Sequence, residues 1–93
     1  MEEIKFEFND KKGQFTLFID GQEQGLMTFV FAGADKIIID HTEVFPGNEG
    51  KGLGKKLVAK GVETAREKHW KVIPLCPFAK KVIDRTPEFQ DVL

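Results

Sequence analysis

The 93-residue chain has one cysteine, no tyrosine, and no apolar run of the roughly 18–20 residues that a bilayer span requires. Cys76 alone can form neither an internal disulfide nor a thiolate metal site. Two separated histidines add no ligand spacing, so no metal is expected. Without tyrosine, nine phenylalanines supply most of the core's rings, and no phenol is available to move protons. The start, Met1-Glu2-Glu3-Ile4-Lys5, lacks both the basic beginning and the apolar stretch of a secretory leader. A cytoplasmic location follows as the expectation. Net charge is only −1, which argues against broad nucleic-acid binding, since that rests on many phosphate contacts. Repeats, low-complexity tracts and linkers are also missing.

What is present suits one compact domain over 1–93. Apolar residues make up 41% and charged residues 31%, close enough to globular averages to exclude disorder. A chain of this length should have a radius of gyration of about 12 Å. The charge is unevenly spread. Residues 1–47 carry a balance of −5 and residues 48–93 a balance of +4. Lys51, Lys55, Lys56 and Lys60 crowd into ten residues without an acid. Such a cluster is either a solvated helix face or a patch whose field attracts a polyanion.

The first half reads as strands. Ile4, Phe6 and Phe8 alternate with charged residues over 4–8. A turn cluster over 9–13 leads to a second strand over 15–19, and Asp20-Gly21 signals a tight hairpin. A third strand is predicted over 25–32, closed by Gly33-Ala34-Asp35. Ile37-Ile38-Ile39 opens a fourth strand running to about Val44. Three successive β-branched residues predict burial on both faces, as in a central strand. After Pro46 the period becomes helical from about Lys51, with Leu53, Leu57, Val58, Val62 and Ala65 on one stripe. A fifth strand over 72–75, a short helix over 78–84 and an irregular tail from Thr86-Pro87 complete the chain. A strand, a helix and a strand form a right-handed crossover, so the fourth and fifth strands should be parallel.

The segment Val44-Phe45-Pro46-Gly47-Asn48-Glu49-Gly50-Lys51-Gly52-Leu53-Gly54 joins the fourth strand to the long helix. Its four glycines let the backbone approach a ligand and turn N–H groups outward, next to the positive end of a helix. A Walker loop is excluded because Gly-Lys is not followed by Ser or Thr. A dinucleotide fingerprint is excluded because antiparallel strands precede the loop. A flexible connector is the plain alternative. Glycine inside a helix costs about 1 kcal/mol relative to alanine, however, so Gly52 and Gly54 in an opening turn favour a ligand.

These residues resemble the acetyl-CoA signature of the GNAT N-acetyltransferases. The resemblance is to the minimal branch of single domains of about a hundred residues, and it covers nearly the whole chain. It rests on the Val-x-Pro strand end, Gly50-Lys51-Gly52-Leu53-Gly54, Asp40-His41-Thr42 and Cys76-Pro77-Phe78-Ala79-Lys80 in order. It implies an α/β (α+β) fold: an antiparallel meander of about four strands, the glycine loop, a long helix, a parallel fifth strand and a short C-terminal helix. It implies acetyl-CoA as cosubstrate and transfer of acetyl to a primary amine. The loop N–H groups around Gly52, Leu53 and Gly54 would hold the CoA pyrophosphate, with Gly50 beside them and charge from Lys51, Lys55 and Lys56. The strand ending at Val44, including Thr42, would offer its backbone to the pantetheine arm. Glu49 stands where the family has Arg or Gln, and its carboxylate opposes a phosphate there. A catalytically inactive CoA-binding or protein-interaction module is the alternative reading.

His41 and Glu43 lie two apart on the fourth strand and so share one face, with Asp40 and Thr42 expected on the other. Imidazole suits the base that takes a proton from an attacking amine, and Glu43 would suit if burial raised its pKa. The plain reading of His41 is a hydrogen-bonded core histidine. Cys76 is predicted at the end of the fifth strand, within reach of the same cleft. The resemblance pairs it with His41 as a nucleophile that takes acetyl first, or as an acid for the departing CoA thiolate. A buried structural cysteine is the alternative. Phe78 covers the cofactor or fills core, and Lys80 with Lys81 reaches the CoA 3′-phosphate or water. His69 and Trp70 read as a helix end with a packing ring. The acidic first half suits a cationic acceptor. So short a chain leaves little room for a lid, which favours a peptide or protein. No membrane or nucleic-acid partner is expected, and the assembly should be a monomer or weak dimer.

Overall fold

A computed structural model describes residues 1–48 and 50–93; Glu49 lies outside the described residues. Five strands, β1 (Glu2–Phe8), β2 (Lys12–Ile19), β3 (Gln22–Phe31), β4 (Lys36–Val44) and β5 (Lys71–Pro74), form one sheet in that order. The first four are antiparallel, and β5 runs parallel to β4. Helix α1 (Leu53–Lys68) makes the crossover, and α2 (Pro77–Arg85) and a 3-10 segment, Pro87–Val92, follow. The expected α/β architecture and parallel fifth strand are present, and the radius of gyration is 12.4 Å. Among the described residues no helix is long and apolar enough to cross a membrane.

The core lies between α1 and one face of the sheet. Phe15, Leu17, Met27, Phe29, Ile37 and Ile39 meet Leu57, Val58 and Val62, all fully buried. Each such side chain contributes about 1.5–3 kcal/mol by leaving water. At the far end of the sheet Phe6 stacks on Phe15 with ring centroids 4.6 Å apart, and Trp70 meets Phe31 edge-on at 5.1 Å.

Four local expectations change. The 9–13 turn is shorter: Asn9 Oδ1 accepts the N–H groups of Lys11 and Lys12, and Gly13 already pairs with Phe8 inside β2. Ile38 is only half-buried, because among the described residues no layer covers the second face of β4 as α1 covers the first. The register shifts between Thr28 and Phe29, so that Thr28 opposes His41 while Phe29 opposes Ile39. That bulge adds Asp40 to the open face, where its carboxylate accepts the Thr28 hydroxyl at 2.6 Å. The tail is ordered because Arg66 reaches from α1 to both Asp91 oxygens at 2.8 Å and to the Glu88 carbonyl.

Candidate functional site

The loop after β4 is set by side chains as well as by glycine. Phe45 adds one more bond to the sheet, donating its N–H to the Gln24 carbonyl. The buried Asn48 then donates to Gln24 Oε1 at 2.6 Å and to the Phe45 carbonyl at 3.1 Å. Lys51 Nζ rests on Asn48 Oδ1 at 3.5 Å. Gly52, at φ +70°, is left-handed and turns the chain into α1.

That helix begins without the usual stabilisation. Gly52 has no side chain to cap it and the first turn contains no acid; it holds Lys55 and Lys56 instead. Lys56 N–H returns to the Gly52 carbonyl, which leaves the N–H groups of Leu53, Gly54 and Lys55 without partners inside the helix. Lys56 is ion-paired to Glu2 at 2.6 Å. Lys55 has no ion-pair partner among the described residues.

A groove of about 550 Å³ opens at this terminus, between α1 and α2. Of the residues singled out in the sequence, Val44, Gly50, Gly52, Leu53, Gly54, Lys55 and Phe78 line it. Lys51 does not, being held against Asn48, and Lys80 is turned into an ion pair with Asp84 at 2.7 Å. Lys81, expected with Lys80 at the CoA 3′-phosphate or in water, does line the groove, and four further lining residues were not singled out for it: Asn48, Val82, Arg85 and Thr86. Phe78, Lys81, Val82 and Arg85 stand at intervals of three, one and three, one face of a helix, and that spacing was the available signal. The two helices can approach because Gly54 has no side chain: a Cβ there would come within 2.6 Å of the Phe78 ring.

Beyond the groove, β4 and β5 part. Their parallel pairing ends at Ile39 and Pro74, and the N–H groups of Leu75 and Cys76 both turn to the Ile39 carbonyl. Residues 40–44 of β4 therefore have no partner in β5, leaving a wedge between the strands.

The candidate catalytic side chains divide across this wedge. Cys76 is buried, 6% exposed, at the N-cap of α2, with its thiol 3.6 Å from the Thr42 hydroxyl. Burial raises the thiol pKa. The Ala79 N–H, the Thr42 hydroxyl and the Phe78 N–H outweigh it and hold the group below its ordinary value. His41 projects on the opposite face, with Nε2 3.2 Å from Glu43 Oε1 and the two side chains 57% and 52% exposed. Thr42 alternates with His41 along β4, so Cys76 and His41 are not brought together; the thiol's neighbour is Thr42 and the imidazole's is Glu43.

Known proteins share this fold. Residues 14–92 match the family model described as GCN5-related N-acetyl-transferase. The solution structure of a GCN5-like protein from Staphylococcus aureus is 35% identical with a TM-score of 0.74, covering 97% of this chain and 85% of that one. Protein NATD1 of Gallus gallus is 25% identical over 85 residues, covering 90% of this chain and 77% of its own. A Bacillus anthracis protein crystallised with acetyl coenzyme A shares the fold at 17% identity and a TM-score of 0.64, covering 80% of this chain and 47% of that one. The family match runs from within β2 to the end of the 3-10 segment, through every element that frames the groove. The chain belongs to the GCN5-related N-acetyltransferase family, the acyltransferases that use acetyl-CoA as cosubstrate.

Proposed function

We propose that this N-acetyltransferase passes acetyl from acetyl-CoA to a primary amine carried by a peptide or protein, with the CoA phosphates in the groove between α1 and α2. The observation that carries the reading is the bare start of α1. A helix with no cap, no first-turn acid and two first-turn lysines forgoes stabilisation that an anion at that end would restore. Leu53, Gly54 and Lys55 would donate their free N–H groups to the pyrophosphate. The unpaired stretch of β4 would receive the pantetheine arm in the wedge and bring the thioester to the level of His41 and Cys76.

Glu43, accepting from His41 Nε2, leaves Nδ1 to take the proton of the attacking amine. The departing thiolate needs a proton, and Cys76 is the candidate donor on the groove side of β4. The separation of Cys76 from His41 argues against a covalent acetyl-cysteine route, which requires the base at the sulfur. An acceptor face carrying Asp40, His41 and Glu43, half open to water, suits a cationic amine on a large molecule better than an enclosed metabolite.

Titration calorimetry with acetyl-CoA, followed by turnover on a panel of amines, tests this. His41→Gln should lower kcat by about 10²–10⁴ while leaving acetyl-CoA affinity intact. Full turnover in that variant would remove His41 from the mechanism. The lack of any phenol, together with the divided Cys76 and His41, favours one second reading, a domain that binds CoA without catalysing. Tight CoA binding with no turnover on any amine would establish it.

A further inference from the structure

Three cations face the groove: Lys55 from α1, and Lys81 and Arg85 from α2. No carboxylate is among the described lining residues. The remaining cation of α2, Lys80, is neutralised by Asp84, whereas Lys81 and Arg85 have no ion-pair partner among the described residues. Lys81 and Arg85 are four residues apart, one turn or about 6 Å along the axis, so both reach the same wall. Like charges gathered around one cavity repel unless an anion lies between them. The N-terminus of α1 accounts for one anionic locus, beside Lys55. Lys81 and Arg85 line the same groove from α2, a different element, so the terminus of α1 does not account for them.

Coenzyme A carries two anionic groups in this relation. Its pyrophosphate lies next to the ribose that bears the 3′-phosphate. A ligand whose pyrophosphate rests on the start of α1 presents its third phosphate to a neighbouring wall. We propose that Lys81 and Arg85 bind the 3′-phosphate of coenzyme A, so that this enzyme selects CoA thioesters over their 3′-dephospho counterparts. The half-buried Thr86, which also lines the groove, can add a hydroxyl donor. The inference rests on the acetyl-CoA reading of the groove and goes beyond it, because a pyrophosphate site alone would treat the two ligands equally.

The test is calorimetry of the full chain with CoA and with 3′-dephospho-CoA, comparing wild type with Lys81→Gln/Arg85→Gln. Wild type should bind CoA about tenfold more tightly or better, the worth of one or two charge-assisted contacts. The double variant should bind both ligands alike, at the wild-type affinity for the dephospho form. Lys11→Gln/Lys36→Gln, which removes the same charge away from the groove, should keep the wild-type ratio. Equal binding of both ligands by wild type, or a preference that survives the double variant, overturns the proposal with the groove reading left standing. A preference lost equally in both double variants shows a general field rather than a site and also overturns it. Wild type that binds neither ligand overturns the groove reading together with this inference. Both mutated side chains are exposed, and a thermal melt of the variants separates lost binding from lost fold.

Discussion

The two ends of helix α1 are built to opposite rules. At its C-terminus His69 takes the left-handed turn at φ 60°, and N–H groups from the cap return to Ala65 and Arg66. Arg66 and Lys68 supply the positive charge that this end favours. Arg66 is tied down by Asp91, and Lys68 lies over the rings of Phe6, Phe8 and Trp70 at 5.2–5.9 Å. Every local preference there agrees with the helix. At the N-terminus each is reversed: glycine instead of a capping side chain, lysine instead of acid, an open groove instead of packed rings. A helix end that satisfies itself is structural, and one that leaves three N–H donors and the charge of Lys55 uncompensated among the described residues is open to an anion.

Filling or reversing the bare end should break this contrast. Gly52→Val places a β-branched residue in the left-handed region, at a cost of about 1–2 kcal/mol. It also disturbs the start of α1 from which the N–H groups point. Acetyl-CoA affinity should fall about a hundredfold, the worth of roughly two charge-assisted hydrogen bonds. Calorimetry beside a thermal melt is the check, and a lower Tm with unchanged affinity would mean that the groove does not use this helix terminus. Lys55→Glu is the sharper experiment, because its two effects carry opposite signs. An acid in the first turn should stabilise the unliganded protein by about 0.3–1 kcal/mol. The same charge beside the phosphates should weaken acetyl-CoA binding about tenfold. Loss of both stability and affinity would point to packing at Lys55 instead of a trade between the free and bound states.

Most elements could be read from the chain because their signals are local. Ile4, Phe6 and Phe8 alternate, Asp20-Gly21 turns, and Leu53 to Ala65 repeats at helical spacing. The departures depend on partners distant in sequence. Counting by twos along β4 put Asp40 with Thr42. The bulge opposite Thr28 inserts one residue, and nothing in β4 itself announces it. The tail looked irregular because its order comes from Arg66, 25 residues upstream of Asp91. At the site, the glycine loop was legible, since left-handed turns and free N–H groups are properties of the loop itself. The α2 wall was legible only in part. Phe78 was singled out, but choosing Lys81 over Lys80 requires knowing how α2 sits on α1, and the Gly54–Phe78 contact decides that. Likewise His41 and Cys76 were drawn together by chain position, whereas alternation along β4 sends Thr42, and the thiol beside it, to the other face.

The self-satisfied end of α1 should show the smallest response, and one with a defined pH dependence. Arg66 holds Asp91 through both carboxylate oxygens, and this bond, opposed by some desolvation, keeps the Asp91 carboxyl below its ordinary 3.8. A group whose folded pKa is depressed contributes stability above its unfolded value and loses it as pH falls through the folded one. The clamp should therefore be constant from neutrality down to about pH 5 and fade below about pH 4 as the carboxyl is protonated. Arg66→Gln should lower Tm by a few degrees at most at pH 7, since exposed ion pairs are screened by water. The difference from wild type should shrink progressively in melts taken below about pH 4. Acetyl-CoA affinity should not change at any pH where the fold holds, because the whole length of α1 separates Arg66 from the groove. A loss of affinity in Arg66→Gln at neutral pH would show that the two ends of the helix are coupled, and the division between a structural end and a binding end would fall.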